Sequence, residues 1–334
     1  MEGFPFRTYP TGWFQVGWSA QLAPETMSSL KIFSRDVVLY RSRSGVARLV
    51  DAHCPHLGAH LGFGKVVGDC IQCPFHGWEF DLGGRNSLVP FADRPMPKIK
   101  LRQWDIEEKN GVIFVWHDAL GREPFWSWID VPELDDAVES YPAEQHYAGI
   151  RKILPQQMFE NGPDELHFCY VHGSGEPAQI VSWKEEFPFL HYQAELKFGA
   201  DKAPTWLTPN GPVVARLTSQ ATIGVGVVWF SFDDIKVTQL VAMTPVDAEH
   251  SMAFSTTAGK RDPSSPDKPN ERTVGLMRYQ HSQIERDFSI WENQIYIERP
   301  PFSAPEKRHF AKFRNWVSEY YPEEALENPY DETG

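Results

Sequence analysis

Two short cysteine and histidine segments constrain the fold of this chain more than any other feature. Cys54 and His56 are separated by one residue, and after sixteen intervening residues Cys73 and His76 follow, separated by two. Each segment offers one thiolate and one imidazole, so two loops brought face to face would supply two sulfur and two nitrogen ligands. A tetrahedral zinc ion accepts the same ligands, so composition alone predicts a metal site without naming the metal.

The order of these ligands along the chain favours one type of metal centre over the other. Zinc patterns group two cysteines before two histidines, whereas each segment here carries one of each. This arrangement suits a [2Fe–2S] cluster with two cysteines on one iron and two histidines on the other. The spacing, the Cys-Pro turns and the His-Gly-Trp ending at 76–78 resemble the Rieske proteins. The resemblance implies that Cys54, His56, Cys73 and His76 hold such a cluster. A structural zinc site and unligated core residues are the alternatives.

A further cysteine complicates the count. Cys70 and Cys73 form a C-x₂-C pair, a spacing also found in zinc knuckles and redox sites. Only Cys73 has a histidine three residues later. We therefore expect Cys70 to be a small buried residue outside the cluster.

Residues 1–125 are predicted to form a small all-β domain. Strand-forming residues are concentrated at 32–40, 46–50, 104–107 and 112–116. Turn residues at Ser42–Gly45 separate the first two runs, and Lys109–Gly111 separate the last two; Asn110-Gly111 is a signal for a type I′ hairpin. The two cysteine and histidine segments lie between these hairpins, so we expect metal-binding loops at one end of the domain.

Residues 126–334 are predicted to form a second domain with one extended antiparallel sheet. Long β-patterned runs occur at 147–154, 181–198, 215–232, 237–245 and 252–258. Apolar residues at helical spacing then predict a helix from Glu271 to Glu298, ending before Pro300. The chain is therefore of the α+β class, and by resemblance its second domain is of the helix-grip type.

A second candidate metal site lies at 160–173, where acids, an amide and two histidines are concentrated. His167 and His172 are about 140° apart on a regular helix, so they share a site only if the helix ends or bulges between them. Gly173 favours an end, with His167 on the last turns and His172 just beyond. Two imidazoles and a carboxylate would form the facial triad of non-haem iron oxygenases. Two core or surface histidines are the alternative.

The third ligand must come from a distant part of the chain. Asp287 and Glu292 both lie about 70° from the centre of the apolar stripe of the predicted helix, so helical geometry leaves both open. A solvated helix face is the alternative role for either acid.

The pattern D-x₂-H-x₄-H at Asp164, His167 and His172, preceded by Glu160-Asn161, resembles the mononuclear-iron motif of Rieske oxygenase α-subunits. The resemblance implies that His167, His172 and Asp287 bind the iron, because steroid-type members place the carboxylate four residues before a tryptophan. It also implies catalytic roles for Asp164 and Asn161.

Segments at 68–78, 110–116, 290–293 and 313–316 most resemble the group containing 3-ketosteroid 9α-hydroxylase oxygenases and cholesterol 7-desaturases. The resemblance implies a terminal oxygenase that uses O₂ and reductase-supplied electrons to hydroxylate or desaturate a bulky apolar, steroid-like substrate, as a monooxygenase rather than a dioxygenase. Alternatives are an aromatic-ring hydroxylase or O-demethylase of the same architecture, or an electron-transfer or ligand-binding protein without oxygenase activity.

The electrons are expected to come from NAD(P)H through a separate ferredoxin or flavin reductase, because no Gly-rich dinucleotide fingerprint follows a strand. The resemblance also implies a head-to-tail homotrimer in which His76 of one subunit approaches His167 of the next. Asp164 would bridge these imidazoles and fix both tautomers, or would support His167 alone.

The net charge of −13 argues against a nucleic-acid partner, since phosphate binding needs clustered cations. No run reaches eighteen apolar residues, and Met1–Phe6 has neither the basic nor the apolar part of a signal peptide. We therefore expect no membrane span and a cytoplasmic location, where thiolates stay reduced.

The substrate pocket is the least determined feature at this level. Aromatic residues that would line either a pocket or the core are Phe159, Phe168, Trp229, Phe230 and Phe232. The segment Pro204–Pro212 is predicted to be a surface loop or a lid over the pocket.

Overall fold

The structure is a computed structural model that describes residues 5, 6, 8–136, 138–199, 208, 210–232 and 235–322, with the side chains of 232, 304, 305 and 307 also excluded. The chain divides into two compact units, Gln15–Trp116 and the combination of Met1–Phe14 with His117–Gly334. The domain division after residue 125 stays a prediction.

The first unit is built from short strands, and β1 and β11 extend slightly beyond the two ends of this unit. Their bounds are β1 (Gly12–Trp18), β2 (Met27–Ile32), β3 (Arg35–Arg41), β4 (Ala47–Asp51), β5 (Lys65–Val67), β6 (Cys70–Gln72), β7 (Glu79–Phe80), β8 (Asn86–Leu88), β9 (Gln103–Trp104), β10 (Ile106–Lys109) and β11 (Val112–His117). They form two four-stranded sheets, in the orders β2-β3-β4-β9 and β5-β6-β7-β8, and a three-stranded sheet β1-β11-β10. The predicted all-β architecture is confirmed.

One hairpin of this unit was predicted from the sequence and another was not. Asn110 and Gly111 have φ values of 51° and 74° and join β10 to β11, which confirms the predicted hairpin. The single strand predicted at 32–40 is wrong, because the chain reverses at Phe33 and Ser34, with φ values of 47° and 61°. Neither residue type is a usual left-handed turn former, so composition gave no signal for this turn.

The second unit is built around one large sheet. Its strands are β12 (Glu144–Arg151), β13 (Gln179–Glu186), β14 (Phe189–Phe198), β15 (Val213–Ala221), β16 (Val225–Phe232), β17 (Ile235–Pro245) and β18 (Ser251–Gly259). Its helices are α1 (Pro155–Phe159), α2 (His167–Tyr170), α3 (Glu271–Trp291) and α4 (Ala304–Ser318). The strand order is β12-β18-β17-β16-β15-β14-β13, every neighbouring pair being antiparallel. The predicted extended antiparallel sheet and the α+β class are confirmed.

The long helix α3 ends seven residues earlier than predicted, at Trp291 instead of Glu298. The Asn293 side chain accounts for this end, because its Nδ2 donates to the Ser289 carbonyl at 2.9 Å. That carbonyl would otherwise receive the Asn293 amide of a continuing helix, and this amide turns instead to the Ile290 carbonyl at 3.1 Å. An asparagine capping its own helix end is not visible in apolar periodicity.

Helix α3 packs against the sheet through its apolar residues. Leu276 and Met277 are buried in one cluster with Leu196, Phe230 and Val237 from the strands. This packing leaves the later turns of α3 close to the histidine segment that follows α1. Within the described part of the chain, none of the helices has the length and apolarity needed to cross a membrane.

Candidate metal centres

The two cysteine and histidine segments fold into matching loops, one after β4 and the other between β6 and β7. In each loop the amide of Cys54 or Cys73 donates to the carbonyl five residues later, and the amide four residues later donates back to the cysteine carbonyl, at 2.8 to 3.1 Å. Gly58 and Gly77 occupy that fourth position with φ values of 71° and 69°, where residues with a Cβ are strained. The repeated glycine therefore explains the repeated loop.

These loops separate the two ligand types by depth. Cys54 and Cys73 are only 2% and 3% exposed and belong to the apolar core of the first unit. His56 and His76 are exposed, with ring centroids 4.8 Å apart, and His56 stacks on Trp78 at 4.3 Å. Two sulfur ligands thus lie inside and two nitrogen ligands lie at the surface.

The chemistry of the thiols fits a cationic cluster. Burial raises the pKa of Cys54 to about 11, and the adjacent Cys73 thiol adds to this rise. A bound metal centre reverses this preference, because thiolates are stabilised by direct coordination. The donor set therefore fits a [2Fe–2S] cluster with its cysteine side buried and its histidine side at the surface.

Cys70 lies on β6, outside the two loops. It is half-buried, less buried than expected, and its Sγ lies 3.5 Å from Ser87 Oγ.

The second site brings together residues from three separated segments. His167 begins α2, His172 lies just after it, and Asp287 comes from the penultimate turn of α3. One ligand atom from each of these residues lies within 4.8 Å of the others, and His172 Nε2 is 3.5 Å from Asp287 Oδ2. The helix between the histidines is a single turn, which His167 begins rather than ends, and Gly173 follows it with φ 72°. The interruption that the spacing required is therefore present.

Hydrogen bonds orient both imidazoles. His167 Nδ1 donates to the Asp164 carbonyl at 2.6 Å, and His172 Nδ1 donates to Gln283 Oε1 at 3.0 Å. Both acceptors are oxygens, so each ring keeps its lone pair on Nε2, the nitrogen free to bind a metal. Partners of this kind commonly hold metal-binding histidines.

Burial makes this group of side chains nearly neutral in the absence of a cation. It lowers the pKa of both His167 and His172 to about 4. It also raises the pKa of Asp287 to about 7, against a hydrogen bond from Asn161 that lowers it. Two neutral imidazoles and a carboxyl that has lost its hydration form a donor set for a divalent metal. The residues present fit the facial triad of a mononuclear iron site.

Two residues that follow the end of α1 support this arrangement. Asn161 hydrogen-bonds Asp287, and its Oδ1 accepts from Trp291 Nε1 at 3.3 Å. Glu160, just before it, pairs with Arg314 at 2.7 Å, with both side chains largely buried. Asn161 thus lies beside the candidate ligand, as a residue that fixes its carboxyl group.

Asp164 makes a different contact from the one predicted. Its carboxylate Oδ1 accepts the amides of Leu166 and His167 at 3.0 and 3.1 Å, which satisfies the start of α2. The contact to His167 Nδ1 comes from the main-chain carbonyl, so the predicted carboxylate contact with that imidazole is absent. Oδ2 has no hydrogen-bond partner among the residues that the structure describes.

The structure also separates the two candidate acids of α3. Glu292 lies outside the group and pairs with Arg151 at 3.6 Å. Gln283, which sequence reasoning missed, contacts His172 instead. Its position four residues before Asp287 places both on one helix face, and that spacing was the available signal.

A large apolar cavity opens from the triad. The space that it encloses, counted together with its solvent-open mouth, is about 1030 Å³. His167, His172, Asp287 and Asn161 lie in its wall, together with aliphatic and aromatic residues of the sheet and α3.

Some of the aromatic residues that the sequence suggested for a pocket line this cavity, and others do not. Phe159, Phe168 and Phe230 line the cavity. Trp229 points to another cleft, where its Nε1 donates to Glu133 at 3.0 Å. The side chain of Phe232 and most of Pro204–Pro212, including the candidate lid, lie outside the described residues.

Comparison with known proteins identifies both parts of the chain. Residues 12–105 match the Rieske [2Fe-2S] domain, and residues 115–321 match the 3-ketosteroid 9alpha-hydroxylase C-terminal domain. The chain is 30% identical to cholesterol 7-desaturase nvd of Bombyx mori, over 97% of this chain and 73% of that protein. It is 23% identical to the oxygenase component of 3-ketosteroid-9-alpha-monooxygenase of Rhodococcus rhodochrous, over 94% and 84%.

The fold is similar to that of dicamba monooxygenase, solved with dicamba bound, at a TM-score of 0.75 and 19% identity, over 94% of this chain and 98% of that one. The expected family resemblance is confirmed. The chain belongs to the Rieske oxygenases, which use a [2Fe–2S] cluster, mononuclear iron and reductase-supplied electrons, and its second part is of the 3-ketosteroid 9α-hydroxylase type.

Proposed function

We propose that this Rieske oxygenase hydroxylates or desaturates a bulky, apolar, steroid-like substrate at the site formed by His167, His172 and Asp287. The observation that carries the proposal is the opening of this triad directly into a cavity with an apolar wall. The named activities of the relatives, a cholesterol 7-desaturase and a 3-ketosteroid 9-alpha-monooxygenase, support a steroid-like substrate.

The proposed ligand roles divide the work among the residues. His167 and His172 would hold the iron through Nε2, with Gln283 and the Asp164 carbonyl fixing the rings. Asp287 would supply one carboxylate, held by Asn161. Bound there, iron would supply a site for O₂ activation. Phe159, Phe168 and Phe230 would keep water from the reacting region and hold the hydrocarbon skeleton.

Cys54, His56, Cys73 and His76 would hold the Rieske cluster, which carries one electron at a time from the reductase. A head-to-tail homotrimer would bring His76 of one subunit to His167 of the next. Two observations support this approach as an electron route between subunits. His76 is exposed, and Asp164 Oδ2, which has no partner among the described residues, can accept a hydrogen bond from the His76 imidazole of another subunit. We further propose a cytoplasmic location, because the thiolates of Cys54 and Cys73 that would hold the cluster stay reduced there.

The test is product mass spectrometry with purified holoenzyme, a ferredoxin-type reductase, NADH and O₂. A panel of sterols, ketosteroids and aromatic acids serves as substrates. The proposal expects a steroid product that gains one oxygen or loses two hydrogens. Turnover of aromatic acids alone, by hydroxylation or loss of a methyl group, would contradict the steroid assignment and leave the oxygenase class intact.

A further inference from the structure

A polar row crosses the apolar floor of the cavity. The strand register aligns Tyr192, Ser219, Val228, Gln239 and Thr257 across five neighbouring strands. The first four line the cavity. On either side the aligned cavity residues are apolar: Leu190, Ala221, Gly226 and Val241 in one row, and Leu217 and Phe230 in the other. Among the described residues of this floor, a hydrocarbon skeleton therefore meets polar groups along the middle row and apolar groups on either side of it.

Most polar groups of this row are already occupied. Tyr192 hydrogen-bonds Ser219, and Thr257 Oγ1 lies 3.0 Å from His281 Nε2. Gln239 is 5% exposed, and its Nε2 donates to Ser255 Oγ at 2.9 Å. Its Oε1 has no hydrogen-bond partner among the described residues and belongs to a side chain in the cavity wall.

The direction of the Gln239 amide is held from α3. Ser255 Oγ, which accepts from Gln239, also contacts His281 Nδ1 at 2.9 Å. One N–H of Nε2 is engaged in this chain, and Oε1 is the acceptor of the amide that has no partner among the described residues. A buried acceptor without a partner has a free-energy cost that a ligand donor removes.

The same helix relates this acceptor to the triad. His281 stands six residues before Asp287 on α3, a rise of about 9 Å. A fused-ring molecule is long enough to reach both levels of the helix, with one polar group near Gln239 and a reacting carbon near the triad.

We propose that Gln239 Oε1 accepts a hydrogen bond from a hydroxyl group of the substrate, so that the site selects a hydroxylated steroid over the matching ketone. This inference rests on the proposed function and names the substrate class within it. A keto oxygen at the same position would face the amide oxygen, acceptor against acceptor, and would leave both without a donor.

The experiment compares anaerobic binding of cholestanol and cholestanone, which differ only in a hydroxyl or keto group at one ring carbon. Both are delivered in cyclodextrin to the holoenzyme, and intrinsic fluorescence and calorimetry report the dissociation constants. We expect the native protein to bind cholestanol roughly tenfold more tightly. Gln239→Leu should remove this preference by weakening cholestanol binding, and Gln239→Glu, which keeps an acceptor, should retain it.

A second variant tests the direction of the amide. Ser255→Ala releases Nε2, so the amide can turn and donate, and cholestanone binding should strengthen. Gln220→Leu, on the strand position next to Ser219 and therefore on the opposite face of the sheet, is the matched control and should change neither constant. Cluster absorption and iron content confirm that each variant is folded.

The outcomes separate this inference from the proposed function. Equal affinities in the native protein, or a preference that survives Gln239→Leu, would overturn the role of Gln239 while steroid turnover still stands. Binding of neither steroid by the native holoenzyme would overturn both.

Discussion

The cluster loops and the triad hold their candidate ligands in opposite ways. The loops take four ligands from 23 consecutive residues, Cys54 to His76, with each pair held by local main-chain bonds and a left-handed glycine. The triad joins His167 and His172 to Asp287, more than a hundred residues later, through side-chain bonds from Gln283 and Asn161. The residue spacing in the sequence reveals a site whose ligands lie close together in the chain. A site assembled by tertiary packing depends on contacts that this spacing does not show.

The largest effect expected from this difference concerns Asp287. Asp287→Ala should abolish the mononuclear iron and turnover and leave the visible absorption of the cluster unchanged, because the cluster ligands lie in separate loops. Iron analysis and product assays measure both. Glu292→Gln, which changes the acid paired with Arg151, is the matched control and should retain iron and activity. Retained iron in Asp287→Ala would move the third ligand to another residue.

Asp164 tests the proposed connection between the two regions. Asp164→Asn keeps an oxygen to accept the amides at the start of α2, but it presents an N–H where a second imidazole needs an acceptor. We expect both metals to remain and reoxidation of the reduced cluster in a single turnover to slow by roughly 100-fold, within the range for partners that orient ligands. Stopped-flow absorption measures this rate. Native reoxidation kinetics would remove Asp164 from the electron route.

Gln283 tests whether packing contacts define the triad. Gln283→Leu removes the acceptor from His172 Nδ1, so the ring loses its fixed tautomer. Iron affinity should fall about 10- to 100-fold. Gln283→Glu, which restores an acceptor, should recover most of it. Equal losses in both variants would indicate a role in packing alone.

The protonation of the triad predicts a pH dependence. Burial raises the pKa of Asp287 to about 7 and lowers that of both histidines to about 4. Between these values the imidazoles are neutral and the carboxyl is protonated, so binding of Fe(II) displaces one proton. Affinity of the metal-free triad should therefore rise up to about tenfold per pH unit up to pH 7 and then level off. Anaerobic calorimetry at several pH values measures it, and a flat profile from pH 5 to 8 would contradict the buried acid.

The smallest effect concerns the two loop glycines. Gly58→Ala places a Cβ in open space at φ 71°, so only the backbone strain of about 1–2 kcal/mol should appear in the free energy of unfolding. Gly77→Ala adds a 3.1 Å approach to Pro90 Cγ and should cost more. Thermal unfolding monitored by cluster absorption compares them. Equal changes in unfolding temperature for the two variants would mean that Pro90 moves away from the added Cβ at no measurable cost.

The cluster segments, the all-β first part and the extended sheet could be predicted because their signals are local: ligand spacing, Asn110-Gly111 and β-patterned runs. The turn at Phe33 and Ser34 could not, because both residues adopt a left-handed backbone that neither residue type favours. The choice of Asp287 over Glu292 came from resemblance, since both have the same helical angle to the apolar stripe. Their environments distinguish them, one buried beside His172 and the other paired with Arg151.

The residues that support the ligands were even harder to predict from the sequence. Gln283 lies on the Asp287 face of α3, but its contact with His172 depends on how the chain folds between them. Gln239 depends on strand register across the sheet and on a serine and a histidine that orient its amide. Neither has a sequence motif, and both are visible only once the elements are packed.

The most direct test of the two-site account is a crystal structure of the holoenzyme with anomalous scattering measured at the iron edge. The account predicts one iron between His167, His172 and Asp287, and a two-iron cluster between Cys54, Cys73, His56 and His76. Iron at another group of residues, or a triad that stays empty in a catalytically active crystal, would contradict it.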